Sequence, residues 1–577
     1  MKNFSRLSAV VFGTLVILGP SFFSPVFADD PPGFPRGSSV EVIEKKIREE
    51  AKKKVSEKSP EKTEVQLPQT PKKKGNTATA FVREIRIQSH PSVPQEKFDS
   101  LIPPESFKPL TAPYLGREVS FDELTDLTAK IEQELRAKGY LAVARVPPQD
   151  VSTGEVLLEV LLSRMGNLTV EGNRFFRKKK IKSYWRVPKG SILRYDKIQS
   201  SLISLNENPD RKVQPLLKAG QGPGTTDVIL KTEDRLPLHA AYGFDNQGVR
   251  VTGKKRNTFS LRSNNLLGLD DIFLVGTTFG SDFGALFLQH VIPLNAYGTR
   301  FAWGFTHAQV TPQKEFENLG INGLAETYSL ALHQKLITKE SFILDAHLGF
   351  DFKEKTTVIQ NATDTWDRLR VLSAGNDLQW AGKTGLWTAR HNASFGFSPH
   401  GSGFALTSRQ GEPHFFKYDF GIERHQKLPF GTEGLFRFEG QLTPDKLTPS
   451  EEYFFGGALT VRGYPESDYG ADQGILTSLE HHTPLFFLPE EWKLPYDTRP
   501  LRQAIQLTVF LDHGYGVLHK PSDTEFSARN LLGVGGGFLL RFRENFSARL
   551  EWGARIGDAP LTEAGDSQVH FRILSNF

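Results

Sequence analysis

The adjacent pair His481-His482 is the first place to look for metal or acid–base chemistry. Its spacing argues against both. Neighbouring side chains on a strand point to opposite faces, so two adjacent imidazoles do not readily share a metal. The chain has no cysteine, which removes thiolate nucleophiles, disulfides and Cys-based metal sites. No GxSxG, HExxH or P-loop pattern occurs. Gly535-Gly536-Gly537 lacks a nucleotide-binding context and reads as strand glycine or a bulge. The expectation is no catalytic residue, no metal site and no cofactor. Two charged residues still stand out. Arg462 lies in a Gly-rich, aromatic loop from Tyr453 to Gly474, and Asp512 lies on an alternating segment. By themselves they are a turn residue and a polar-face acid.

The elements that position them have a period of two. From Leu238 onward helical periodicity disappears. Phe342, Leu344, Ala346, Leu348, Phe350 and Phe352 share one face; Asp345, His347, Asp351 and Lys353 share the other. Trp387 to Phe397, Phe436 to Leu442 and Phe546 to Ile556 repeat the pattern. On the strand of Asp512, Ile505, Leu507, Val509 and Leu511 face one way and Gln506, Thr508 and Asp512 the other. A soluble sandwich also alternates. These segments, however, run to roughly ten residues, the length of a tilted membrane strand. Their apolar faces are strongly aromatic, as in a lipid-facing band. The last segment carries Val569, Phe571, Ile573 and the terminal Phe577 against His570, Arg572 and Asn576. The 340 residues from Leu238 to Phe577 accommodate about sixteen strands at roughly 20 to 22 residues each. Such a barrel encloses an aqueous lumen lined by the charged faces.

Before the barrel stand two small α/β units, predicted at 78–163 and 164–235. In the first, Phe81, Arg83, Ile85 and Ile87 read as one short strand. Ser120 and Glu123 form a capping box. The helix after them carries Leu124, Leu127, Ile131 and Leu135 on one face and stops at Gly139. Strands Leu141 to Val146 and Val156 to Leu162 follow. The second unit repeats the order, with a helical face of Tyr195, Ile198, Leu202 and Leu205 and strands Val213 to Leu217 and Val228 to Lys231.

Residues 1–28 read as a secretory signal: Lys2 and Arg6, an apolar run from Leu7 to Leu18, and Val26-Phe27-Ala28 at the cleavage point. Residues 29–77 are rich in Pro and Lys, and Val40 to Lys58 within them reads as a highly charged helix. A formal charge of +5, from 71 basic and 66 acidic residues, is too balanced for a nucleic-acid partner.

Four motifs in order carry a resemblance. Gly139-Tyr140, Ala144-Arg145-Val146-Pro147-Pro148-Gln149-Asp150 and Gly154 resemble a first POTRA domain. Leu205 to Val213, then Pro223-Gly224-Thr225-Thr226-Asp227, resemble a second. Asp245, Asn246, Gln247, Gly248, Thr252, Gly253 and Arg256, followed by Asn265, Leu267-Gly268-Leu269 and Asp271, resemble a barrel-start hairpin. Val461-Arg462-Gly463-Tyr464 matches the VRGY motif of a pore loop. The chain from about residue 80 to 577 thus resembles the TpsB transporters of two-partner secretion, the ShlB/FhaC/HecB haemolysin secretion/activation family. The resemblance implies a mixed fold, two POTRA domains and a transmembrane antiparallel barrel at 236–577 with an in-folded loop, 453–474. It implies an ion pair between Arg462 and Asp512 in the lumen, and an assembly signal at Phe571 and Phe577. It implies a 29–77 segment whose helix plugs the resting pore. The implied activity is export of a large, unfolded partner protein from the periplasm through the outer membrane, without ATP. The implied partners are that client, outer-membrane lipid, periplasmic chaperones and the barrel-assembly machinery. An insertase of the same superfamily, a passive porin and a secreted enzyme are the alternatives.

Overall fold

The computed structural model describes residues 45–46, 79–339, 341–360, 362–398, 411–523, 525–543 and 545–577. The signal sequence and most of the charged helix at Val40 to Lys58 lie outside the described residues. Two compact units are present, one within Pro60–Leu236 and one of Pro237–Phe577 together with Lys45 and Lys46.

The N-terminal unit holds the α/β repeat. β1 (Thr79–Val82) pairs with β3 (Arg117–Ser120), while β2 (Glu84–Ser89) runs parallel to β5 (Glu155–Leu162), which also pairs with β4 (Ala142–Arg145). The single strand expected over Phe81 to Ile87 is therefore two strands in two sheets. The chain bends at Arg83, whose N–H donates to the Gly154 carbonyl at 2.7 Å. The bend shifts the pleat, so Val82 is buried and Phe81 is half-exposed. Between these strands run α1 (Gln95–Leu101) and α2 (Phe121–Ala137). Ser120 Oγ accepts from Glu123 N (3.2 Å) and Glu123 Oε2 accepts from Ser120 N (2.8 Å), closing the capping box. Leu124, Leu127, Ile131 and Leu135 of α2 pack on Val156, Leu158, Val160 and Leu162 of β5 in one apolar core.

The second half repeats the plan. β6 (Arg164–Glu171) lies parallel to β8 (Thr225–Asp234), and β7 (Arg211–Ala219) pairs with β8 in a hairpin. In both halves the last strand is central and the first joins it in parallel. α4 (Tyr195–Leu205) buries Ile198, Leu202 and Leu205. It is preceded by α3 (Lys178–Ser183), which lacks an apolar stripe of its own length.

From Leu238 the chain forms one closed barrel of sixteen antiparallel strands, the first Leu238–Asp245 and the last Ser567–Asn576. An even strand number returns both ends of the wall to one side. Outward residues such as Leu348, Phe395, Leu479, Val509, Leu550 and Trp552 are exposed, and their inward neighbours are polar or small. Three strands, Asn322–Lys339, Phe342–Ile359 and Ala362–Gly382, have 18, 18 and 21 residues, well beyond the ten expected. Their surplus lies at the end away from the chain termini, where Glu354, Arg368 and Arg370 pair on the outward face while Lys353 and Lys355 are buried on the inward one. It is a polar extension past the bilayer, continued because the ladder there remains paired. Among the described residues no helix is long and apolar enough to cross a membrane.

Candidate functional site: a loop suspended in the barrel lumen

Leu442 and Gln473 end adjacent strands of the wall, and the 443–472 segment between them folds back inside. Its neck is a small hairpin in which Tyr453–Phe455 pairs with Tyr469–Ala471. Tyr453, Phe455, Val461, Tyr464 and Tyr469 form a buried cluster with Leu476, Leu518 and Leu531 of the barrel. The ring of Phe455 rests on a floor of three inward glycines. A Cβ at Gly474, Gly514 or Gly516 would meet that ring at 2.5–2.6 Å.

At the tip the structure brings Arg462 and Asp512 together. Arg462 Nε donates to Asp512 Oδ2 (2.7 Å) and Nη2 to Oδ1 (2.9 Å), and the Arg462 backbone N–H donates to Oδ2 (3.1 Å). The fork-to-fork geometry is the strong form of an ion pair. Two further acids, Glu480 and Glu551, complete the site. Arg462 Nη1 donates to Glu480 Oε2 (2.5 Å) and Glu551 Oε1 (3.0 Å). Arg549 donates to both of those acids, and Ser478 Oγ donates to Asp512 Oδ1 at 2.7 Å. The guanidinium of Arg462 also lies 3.5 Å over the ring of Phe510. Two guanidiniums and three carboxylates thus share one buried pocket. His482 faces inward and contacts Glu480 Oε1 through Nε2 (2.5 Å), while His481 faces outward. The two histidines are on opposite sides of the wall, and among the described residues no metal-binding cluster occurs.

The neck has a second charged anchor. Glu451, almost fully buried, receives Lys417 Nζ at 2.9 Å and also Lys353. Gln441 Nε2 donates to the Glu451 carbonyl at 3.1 Å. Asp468 accepts from the backbone N–H groups of Leu561 and Thr562, both at 2.9 Å, tying the loop to the 556–566 segment. Lys45 and Lys46 reach the same place. Lys45 Nζ donates to the Ser450 carbonyl (2.7 Å) and Lys46 Nζ to Glu466 Oε2 (2.5 Å).

The remaining sequence-selected residues gather at the closure of the barrel. Asp245 takes Arg256 through Nε (2.8 Å) and Nη2 (3.1 Å), both side chains buried. The first and last strands share only five residue pairs, Arg572↔Asp245 to Asn576↔Ala241. Asn246 lengthens this seam: its Nδ2 donates to the Val569 carbonyl (2.7 Å) and its Oδ1 accepts from Phe571 N (2.9 Å). The rings of Phe244 and Phe571 lie 5.4 Å apart across the seam. Phe577 N donates to the Ala240 carbonyl at 2.8 Å. Gly248 N donates to Lys254 O (2.8 Å), and Thr252, fully buried, sits in the turn before Gly253, whose φ is +95°.

A sixteen-strand barrel with a lumenal loop, preceded by paired small α/β domains, is the architecture of POTRA-bearing outer-membrane barrels. The chain belongs to the haemolysin secretion/activation protein ShlB/FhaC/HecB family, whose model matches residues 224–540; the ShlB-type POTRA domain model matches residues 95–162. The barrel lies in the outer membrane and the POTRA domains in the periplasm. The chain is 24% identical over 445 residues to the heme/hemopexin transporter protein HuxB of Haemophilus influenzae, covering 74% of this chain and 76% of that one. It is 23% identical over 449 residues to the outer membrane transporter CdiB of Dickeya dadantii, covering 75% and 77%. The solved structure of CdiB from Escherichia coli is similar in fold, with a TM-score of 0.67 at 18% identity over 93% of this chain and 98% of that chain. BamA from Haemophilus ducreyi lacking POTRA domains 1–3 gives 0.52 at 14% identity, over 86% and 100%.

Proposed function

We propose that this protein exports one large partner protein by two-partner secretion. The client reaches the periplasm unfolded, contacts the POTRA sheets and passes through the barrel. The observation that carries this reading is the suspended loop. It lies inside the barrel, yet it is joined to the wall by ion pairs, apolar contacts and side-chain hydrogen bonds rather than by ladder hydrogen bonds. A plug of that construction can move while the wall stays closed.

POTRA recognition rests on sheet edges. β2 and β4 flank β5, and β6 and β7 flank β8, so each three-stranded sheet has two outer strands. An extended client can add a strand to such an edge with little dependence on its side chains. The Arg462–Asp512 pair holds the loop in its resting position, and the Lys45 and Lys46 contacts support the N-terminal segment as part of the same plug. Client folding outside the cell would prevent return and so drive net export.

The test is secretion of a co-expressed client encoded beside this chain. Removal of residues 79–235 should abolish its appearance in the medium while the barrel remains in the membrane. Continued secretion would sink the reading. The insertase alternative predicts instead that depletion lowers the levels of many other outer-membrane barrels.

A further inference from the structure

The lipid-facing wall of the barrel carries a groove with the chemistry of a phospholipid site. It occupies about 470 Å³ on the outer surface of four consecutive strands, Phe415–Lys427, Glu433–Leu442, Gln473–Pro484 and Ile505–Val517. Strand register builds it in two rows. Gln426 stands opposite Gly434, which stands opposite His481, which stands opposite Val509. One step further from the rim, Arg424, Phe436, Leu479 and Leu511 are aligned in the same way. Gly434 leaves the gap. A Cβ there would find its nearest neighbours at 3.5 Å and 3.9 Å, so the hollow is open above it.

Its polar end is the unusual part. Arg424 faces lipid and lies three residues before the strand ends at Lys427, on the side of the chain termini. Its side chain donates to neutral groups, Gln426 Oε1 (Nε, 3.0 Å) and Thr384 Oγ1 (Nη2, 3.1 Å), and its guanidinium lies 5.1 Å from the ring of Trp387. Among the described residues it has no carboxylate partner. A lipid-facing arginine costs ~2–4 kcal/mol at the bilayer midplane and ~0–1 near the interface, so this depth is tolerable. An interfacial guanidinium held beside an aromatic ring presents its remaining N–H groups to a phosphate. Beside it on the neighbouring strands, Leu479, Val509 and Leu511 form an exposed apolar strip.

We propose that this groove binds one phospholipid of the periplasmic leaflet, with its phosphate on Arg424, Gln426 and His481 and an acyl chain along Leu479, Val509 and Leu511. The strands that form it also carry the lumenal anchor, since Glu480 points inward between outward Leu479 and His481. The bound lipid therefore backs the stretch of wall against which the loop is held.

The test is native mass spectrometry of the delipidated full-length protein in detergent, titrated with palmitoyl-oleoyl phosphatidylglycerol. One lipid should bind above the background of nonspecific adducts. Arg424→Gln should weaken it about tenfold, the scale of one charge-assisted contact. Gly434→Phe, which fills the hollow between Gln426 and His481, should remove the bound species. Heat-modifiable migration on gels establishes that each variant still forms a barrel. Equal lipid retention by both folded variants would overturn the proposal. So would displacement of the lipid by inorganic phosphate, which would mark a simple anion site.

Discussion

Gly533 and Arg462 are in backbone contact on the inner face of the wall: a Cβ on Gly533 would lie 1.8 Å from the Arg462 carbonyl oxygen. No side chain fits in that space. The Arg462 carbonyl lies against the wall, and its side chain can then reach Asp512, the register partner of Gly533 on the neighbouring strand. Gly533→Ala should push the loop tip off the wall while the ladder stays intact. The expected result is normal heat-modifiable migration with increased conductance in planar bilayers. A variant with wild-type conductance would show that the loop does not depend on this approach.

Arg462 should tolerate no replacement, including lysine. A lysine can reach one acid as a point charge but cannot fork to Asp512 while meeting Glu480 and Glu551. Truncation leaves Glu480 and Glu551 to Arg549, and buried Asp512 with the Ser478 hydroxyl and a backbone N–H. Removing one partner of a buried pair costs about 3–5 kcal/mol. Arg462→Lys and Arg462→Ala should both lose most secretion, with Asp512→Asn milder because Glu480 and Glu551 remain. Exchanging the two charges, Arg462→Asp with Asp512→Arg, should restore little, since the new acid would sit beside Glu480 and Glu551. Full rescue by that exchange would reduce the site to a simple pair.

Much of this barrel was legible because its period is the period of a strand. Arg549 and Glu551 could be assigned to the lumen from alternation alone. Their meeting with Arg462 could not, because alternation gives the face of a strand residue and not where a loop residue 89 positions earlier will be suspended. Lys353 was likewise assigned to the polar face, but its partner Glu451 lies in a loop without periodicity. The floor under Phe455 was hidden for another reason. Gly474, Gly514 and Gly516 read as weak strand residues until the ring above them is placed. The break at Arg83 also escaped, since one bend leaves the surrounding alternation looking continuous.

The barrel seam should be the weakest part of the wall. With five residue pairs between first and last strands, the added contacts of Asn246 are a large share of the closure. Asn246→Ala removes two hydrogen bonds, each worth about 1 kcal/mol. Phe571→Ser removes the ring packed on Phe244. Each should lower the temperature at which the folded gel band disappears, and the double variant should lower it further. A conservative change of an exposed lipid-facing ring elsewhere, Phe395→Leu, should not.

In the first POTRA domain, Glu132 offers a pH test. Burial raises its carboxyl above the usual value, and this outweighs the 2.9 Å hydrogen bond it accepts from Ala144 N. The folded state therefore holds a proton that the unfolded chain has already lost. Stability is greatest below the ordinary carboxyl value and falls as pH rises through the window up to the raised one. Glu132→Gln keeps an acceptor without the charge. It should increase hydrogen-exchange protection of Leu127 and Ile131 at about pH 7 and leave it nearly unchanged at about pH 4. A gain of equal size at both pH values would locate the effect in packing rather than charge.

The contacts of Lys45 and Lys46 predict how the resting pore is held shut. Each lysine makes a charge-assisted hydrogen bond with the loop region, to Ser450 O and Glu466 Oε2. Such bonds contribute roughly 1.5–3 kcal/mol each. Losing one shifts a closed–open equilibrium by a factor of ten or more. Lys46→Glu reverses the charge facing Glu466, so it should act more strongly than Lys46→Ala. Lys45→Ala should act alone and add to it, because its partner is a backbone carbonyl on the other side of the neck. In planar bilayers both single variants should show more frequent large-conductance events, and the double variant should approach the behaviour of a chain lacking residues 29–77. Should the double variant remain as quiet as wild type while the deletion is open, the segment closes the pore through other residues. Should the deletion also be quiet, the loop closes the pore unaided.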